Sequence, residues 1–320
     1  MYEAFYGLQE RPFSLTPNPR YVFYSDRYRK ALDEVTYGID RKEGFMLLSG
    51  LPGTGKTTLS RDLLEKLDPD RHCSALIFNP FLNGSEMLQS LLTEFGIEYP
   101  RHAPKNELLK RLNSFILDQL NLGKTCVAIF DEAQHLSSEF LEQIRVLSNL
   151  ETADEKLIQI VLVGQPELLQ RLKMPGMAQL SQRVSVRSAL THMDSEETRR
   201  YIYHRLNVAG AKGSLEFTKP AIEHIYKASQ GIPRRINAIC DQSLLAGFVA
   251  QTQKIGVPEV KQAVASLRGD EADPTPQLRQ RRMRIAMTIG VVLILVTLVL
   301  ASLVALHAAG MIVVPGLPPA

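Results

Sequence analysis

Short apolar runs alternate with amphipathic stretches through much of this chain, and that alternation sets the expected fold. Phe45–Ser49, Ser74–Asn79, Thr125–Phe130, Leu157–Val163 and Val184–Leu190 read as strands. Their apolar character is largely continuous, the mark of strands buried on both faces. Between them, Thr57–Leu67, Ser85–Phe95, Lys105–Leu122, Ser138–Asn149 and Pro166–Lys173 read as helices. Upstream, Tyr28–Asp40 sets Ala31, Leu32, Val35 and Ile39 at helical spacing. The order implies an α/β fold, a parallel five-stranded sheet with helices on both faces.

From Asp194 to about Arg268 the strand pattern stops and helices follow one another. Asp194-Ser195-Glu196-Glu197 is a helix start, and Pro220 and Pro258 sit where first turns begin. The reading is thus an N-terminal segment over 1–41, an α/β domain over 42–192 and a helical domain over 193–268. A linker with a basic run follows over 269–284, then an apolar helix over 285–309 and a short tail over 310–320. Residues 1–41 are rich in aromatics and prolines, among them Phe5, Tyr6, Pro12, Phe13, Tyr21 and Phe23. They suit an irregular segment packed on the next domain, an apolar cuff around a nucleotide base, or both.

Ile285 to Ala309 contains no Asp, Glu, Lys or Arg. A stretch of about twenty apolar residues is long enough to cross a hydrocarbon core of about 30 Å. Arg279, Arg281, Arg282 and Arg284 precede it and no Lys or Arg follows it. The expectation is one transmembrane helix, with the body on the cytoplasmic side and the C-terminus outside.

Composition changes this picture little. A hydrophobic content of 45% over 320 residues supports a sizeable core, and a net charge of +3 gives no global signal for nucleic acid. Cys73, Cys126 and Cys240 form no CxxC or metal spacing and read as free buried thiols. Met1 to Arg11 carries acids and no apolar core, unlike a signal peptide.

The chemistry centres on Gly50-Leu51-Pro52-Gly53-Thr54-Gly55-Lys56-Thr57, which fits the phosphate-binding pattern G-x-x-x-x-G-K-[ST] between a strand and a helix. Glycines let backbone N–H groups wrap an anion, and the helix N-terminus adds partial positive charge. Gly50, Pro52, Gly53, Thr54, Gly55, Lys56, Thr57 and Thr58 form the expected cradle for ATP. Lys56 reaches the terminal phosphates and Thr57 ligates Mg²⁺. The run Cys126-Val127-Ala128-Ile129-Phe130-Asp131-Glu132 is an apolar strand ending in two acids. Beside such a loop, Asp131 fits a Mg²⁺-holding role and Glu132 a role polarising the attacking water. Taken alone, Asp131 also suits an ordinary helix cap.

Phe130-Asp131-Glu132-Ala133-Gln134-His135-Leu136 and Leu141 to Thr152 resemble the ExeA/GspA family of AAA+ ATPases. So do Leu162-Val163-Gly164-Gln165-Pro166-Glu167-Leu168 and the opening Phe5-Tyr6-Gly7-Leu8 with Pro12-Phe13-Ser14-Leu15-Thr16-Pro17. The resemblance runs from about Phe5 to Ala265. Tyr28 departs from it, standing where the family has His, and a short tail is expected where long members carry a peptidoglycan-binding domain. The resemblance implies an ATPase with a helical lid, acting as a homo-oligomer with shared sites and serving secretion, pilus or exopolysaccharide machinery of the envelope. It also makes the expected membrane a bacterial inner membrane. By the same resemblance Gln165 falls at the sensor-1 position and orients the attacking water. Arg183, with Arg187 as competitor, is the arginine that reaches a neighbouring subunit's nucleotide. Gly231-Ile232-Pro233-Arg234-Arg235-Ile236-Asn237 is similar to the sensor-2 element. Its Arg234, in a helix's first turn where the dipole disfavours a cation, would face the phosphates. Two other readings are a DNA-acting ATPase like the transposition regulators TniB and TnsC, and a scaffold that binds nucleotide with little turnover.

Overall fold

A computed structural model describes residues 2–78, 84–148 and 156–269. Strands β1 (Phe45–Gly50), β2 (His72–Ile77), β3 (Thr125–Phe130), β4 (Ile158–Gly164) and β5 (Val184–Leu190) form one parallel sheet in the order β2-β3-β4-β1-β5. Central β1 and β4 are buried along their whole length, whereas edge strand β5 alternates buried with exposed positions. The two-residue period splits β1 between two cores. Phe45 and Leu47 join the apolar cluster on one face, Met46 and Leu48 the cluster on the other. Gln159 is the polar exception inside β4, and its amide donates to the Ile39 carbonyl at 2.8 Å.

Helix α1 (Glu3–Tyr6) opens the described chain and α2 (Asp26–Asp40) follows, its N-terminus capped by the Ser25 hydroxyl, which accepts from the Tyr28 N–H. The sheet is covered by α2 and by α3 (Lys56–Lys66), α4 (Gly84–Glu94), α5 (Lys105–Asn121), α6 (Ser138–Leu147), α7 (Pro166–Leu172) and α8 (Ala178–Arg183). Beyond it come α9 (Ser195–Val208), α10 (Lys219–Ser229), α11 (Pro233–Val249) and α12 (Val257–Arg268). The expected start at Asp194 is a capping box: Asp194 Oδ1 accepts from the Glu197 N–H, and Glu197 Oε2 from the Asp194 N–H. Two strands unseen in the sequence, β6 (Glu216–Phe217) and β7 (Lys254–Ile255), pair in parallel between these helices. Two residues are too few to show a period.

The first part of the N-terminal segment packs on the helical region. Tyr2, Tyr6, Leu8, Phe13 and Tyr21 share a cluster with Ile202, Leu206 and Ile236. The Tyr6 hydroxyl donates to the Leu244 carbonyl at 2.9 Å. The sheet and the helices up to α11 belong to one compact unit, Met1–Val264; a second unit runs from Ala265 to Ala320, and the boundary falls within α12.

The expectation of a membrane-spanning helix is corrected at this point. Among the described residues no helix is long and apolar enough to cross a membrane. The run 285–309 that suggested one lies outside the described residues, as do the linker and tail around it. A run of aliphatic residues meets the length condition for a span without establishing a helix there. The single-pass inner-membrane placement rested on that helix and falls with it.

Candidate nucleotide site

The turn between β1 and α3 brings the sequence motif to the C-terminal edge of the sheet, where open α/β folds bind ligands. Gly53 and Gly55 hold φ of 80° and 104°, a region that side chains disfavour. A Cβ on Gly53 would lie 2.7 Å from the Arg234 Cβ, so the turn also needs glycine for the close approach of α11. Gly50 ends β1 against the Leu190 carbonyl. Thr54 Oγ1 and Lys56 Nζ both donate to the Leu51 carbonyl, at 2.8 and 3.2 Å. Lys56 is buried, and that burial pushes its pKa down; the Glu132 and Asp131 carboxylates pull it back up.

Thr57 Oγ1 donates to Asp131 Oδ2 at 2.6 Å, across the gap between α3 and the end of β3. The Glu132 N–H donates to Asp131 Oδ1 at 2.8 Å. Asp131 is 2% exposed, and burial raises its pKa against the pull of the Thr57 hydrogen bond. Glu132 takes φ of 52°, left-handed for a non-glycine residue, a strain of the kind that clusters at functional sites. Its Oε2 accepts from the side-chain amides of Gln134 and, at 3.3 Å, Gln165. Gln165 is the N-cap position of α7 but leaves the cap unmade; its side chain turns to Glu132 instead.

Arg234 lies in the first turn of α11 and its backbone N–H donates to the Gly53 carbonyl at 3.2 Å. Pro52, Gly53, Thr54, Gly55, Lys56, Thr57, Thr58, Glu132, Gln165 and Arg234 thus line one cleft of about 520 Å³, within the ordinary range for small-molecule sites. Asp131 stands just behind it through Thr57. Arg183 lies elsewhere. It ends α8, and its Nη1 donates to Ser148 Oγ at 3.0 Å and to the Arg145 carbonyl at 3.4 Å, at the end of α6. Arg187, on edge strand β5, donates to the Ser181 carbonyl of α8 at 2.8 Å.

Among the cleft residues that the sequence reading did not single out are Arg205, Tyr201 and Asn237, the last named only within the sensor-2 element. Arg205, on α9, is 7% exposed without a carboxylate partner among the described residues. Its guanidinium donates to the Pro12 and Ser14 carbonyls and to the Tyr201 hydroxyl, and sits 4.6 Å from the Tyr21 ring centre. Asn237 and Tyr201, hydrogen-bonded at 2.9 Å, complete that wall. The available signal was spacing: Arg205 falls four residues after Tyr201 and three after Ile202, on the face that α9 buries. Residues from Ser14 to Phe23 line the same cleft, so the N-terminal segment both packs on the helices and borders the site.

The model of the AAA domain family matches residues 39–172. General secretion pathway protein A of Aeromonas hydrophila is 41% identical over 277 residues, 87% of this chain and 50% of that protein. The chain therefore spans about half the length of that relative. An uncharacterized HTH-type transcriptional regulator of Methanocaldococcus jannaschii is 25% identical over 179 residues, 55% of this chain and 43% of that one. Among solved structures, the Aeropyrum pernix ORC2 protein aligns with TM-score 0.61 at 17% identity, covering 88% of this chain and 84% of that one. Cdc6p from Pyrobaculum aerophilum gives 0.62 at 18%, covering 79% and 69%. The Thermotoga maritima RuvB branch migration motor gives 0.52 at 18%, covering 77% and 70%. At such identities the structural likeness speaks for the fold alone. With its P-loop at the edge of a five-stranded parallel sheet, its helical region beside it and 41% identity to general secretion pathway protein A, the chain belongs to the ExeA/GspA-like branch of the AAA+ family.

Proposed function

We propose that this protein binds ATP with Mg²⁺ and hydrolyses it to ADP and phosphate. One observation carries the reading: the Thr57 hydroxyl and Asp131 carboxylate meet at 2.6 Å beside the Lys56 turn, with Glu132 on the same cleft. The donor set fits the ion, since hard oxygens from a hydroxyl and a carboxylate suit Mg²⁺, which keeps several waters. When bound, Mg²⁺ neutralises charge building on the phosphate oxygens. Lys56 and the backbone N–H groups of the turn hold the triphosphate, and Arg234 adds a cation from the helical side. As water attacks the terminal phosphorus, a new O–P bond forms and the bond to the bridging oxygen breaks. ADP leaves with that electron pair, and the water proton passes to the Glu132 carboxylate. Gln165 orients the same water.

Arg183 has no place in this chain's own cleft, which suits a residue acting on a neighbouring copy. We read the active form as a homo-oligomer whose turnover serves an envelope secretion, pilus or exopolysaccharide system. The relative's name supports the secretion reading. A DNA-acting role draws on fold likeness and on the name of the 25% identical transcriptional regulator, which is matched over 43% of its length.

The test is phosphate release from ATP, with chelation by EDTA and mixed variants. Turnover should vanish on removing Mg²⁺ and return when it is restored. Arg183→Ala and Glu132→Gln subunits, each nearly inactive, should recover activity when mixed. Turnover indifferent to EDTA contradicts the metal assignment. No rescue despite demonstrated co-assembly contradicts a shared site.

A further inference from the structure

Glu132 stands two residues past the end of buried strand β3 in a left-handed conformation, and a carboxylate held only by its own side-chain rotamer would sample several orientations. The turn after it, Ala133–His135, supplies what fixes it. Gln134 is 9% exposed, and its carboxamide is used at both ends. Nε2 donates to Glu132 Oε2, and Oε1 accepts from the Gln165 N–H at 3.0 Å. The chemistry fixes which end is which, because a backbone N–H needs an oxygen and a carboxylate needs a donor. The backbone of the turn is pinned as well. The Arg171 guanidinium, on α7, donates to the Gln134 carbonyl and, at 2.8 Å, to the Leu136 carbonyl. Gly164 leaves the room that the amide needs, since a Cβ there would stand 3.0 Å from Gln134 Oε1.

We propose that Gln134 is a positioning residue for hydrolysis, tying Glu132 to the start of α7 and presenting its second oxygen to the attacking water. This rests on the reading of Glu132 as the base. Oε2 takes both amides, from Gln134 and Gln165. Oε1 has no protein hydrogen-bond partner among the described residues and is the oxygen that receives the water proton. Gln134 does not line the cleft, so its loss should spare nucleotide binding. It links the two residues on which attack depends, Glu132 and Gln165, into one unit with α7. A shift of about 1 Å in such a group costs up to about a hundredfold in rate.

The experiment compares Gln134→Met, which keeps the length and loses both hydrogen bonds, with Gln134→Glu, which keeps the shape and replaces the donor by a second carboxylate. ATP affinity serves as the check on folding. Both variants should lower kcat by about ten- to a hundredfold with KM and ATP affinity within about twofold. Added to Glu132→Gln, Gln134→Met should cause no further loss in single-turnover rate, since the group it positions is gone. Unchanged kcat in Gln134→Met or Gln134→Glu, with Glu132→Gln inactive, overturns the proposal and leaves Glu132 as base. So does a full additive loss in the double variant. Near-normal turnover in Glu132→Gln alone would instead overturn the reading on which the proposal rests.

Discussion

The cleft has two walls of different construction. On the sheet side, the polar groups that matter are bonded to one another: Lys56 to the Leu51 carbonyl, Thr57 to Asp131, and Glu132 to Gln134 and Gln165. On the helical side, Arg234 touches the P-loop through one backbone hydrogen bond, and no hydrogen bond or ion pair among the described residues engages its guanidinium. Further ties are the Met193 N–H, which donates to the Gly231 carbonyl at 3.0 Å, and Arg27 of α2, which lies 3.6 and 3.5 Å from Asp194 and Glu197. The Arg27–Asp194 pair is half-exposed on both sides and contributes little, about 1 kcal/mol or less, whereas Glu197 is buried. A preorganised wall supplies transition-state stabilisation without reorganisation. A weakly tied wall with an unengaged cation can shift toward a bound anion. On the proposed reading, the chemistry is assigned to the sheet side, and the response to nucleotide to Arg234 on the helical side.

The largest way to break this comparison is Lys56→Ala. It should weaken ATP binding by at least about a hundredfold in calorimetric titration, since a phosphate-contacting cation in a desolvated turn is lost. Retained affinity would mean the helical wall holds the triphosphate instead. Arg234→Ala sharpens the contrast. It should lower kcat by about ten- to a hundredfold, with a thermal midpoint nearly unchanged without nucleotide, because the substitution keeps the Cβ beside Gly53 and removes no hydrogen bond or ion pair among the described residues. The smallest effect compares the two regions' thiols. On the sheet, Cys73 faces Cys126 across β2 and β3. The hydrogen bond from Cys126 and the nearby Lys124 charge hold the Cys73 thiol down to about 7. Complete burial in the helical cluster pushes the Cys240 thiol up. Native labelling with iodoacetamide should rise through about pH 7 at Cys73 as its thiolate forms. Cys240 should stay unmodified until the protein unfolds.

Much of the sheet side was legible because its signals are local. Buried parallel strands are continuous apolar runs, so Thr125–Phe130 and Val184–Leu190 match their expected bounds, and the others lie within a residue or two. The P-loop and the Asp131-Glu132 pair are contiguous motifs. Gln134 was visible only as part of a resemblance, because its role depends on Gln165 and Arg171, which the fold brings to it from β4 and α7. Arg205 was missed for a like reason: its partners, Pro12 and Ser14, are carbonyls distant in sequence, and no side-chain pattern announces them. The run 285–309 shows the converse. Hydropathy is strongly legible there, yet the membrane helix inferred from it has no counterpart among the described helices.

The central claim is that the sheet wall performs hydrolysis through Glu132, and the most direct test measures binding and turnover together in Glu132→Gln. ATP affinity should stay within about twofold of the unsubstituted protein while the single-turnover rate falls by about two orders of magnitude or more, the scale of general-base removal. A variant that binds ATP and still hydrolyses it at a near-normal rate would contradict the account.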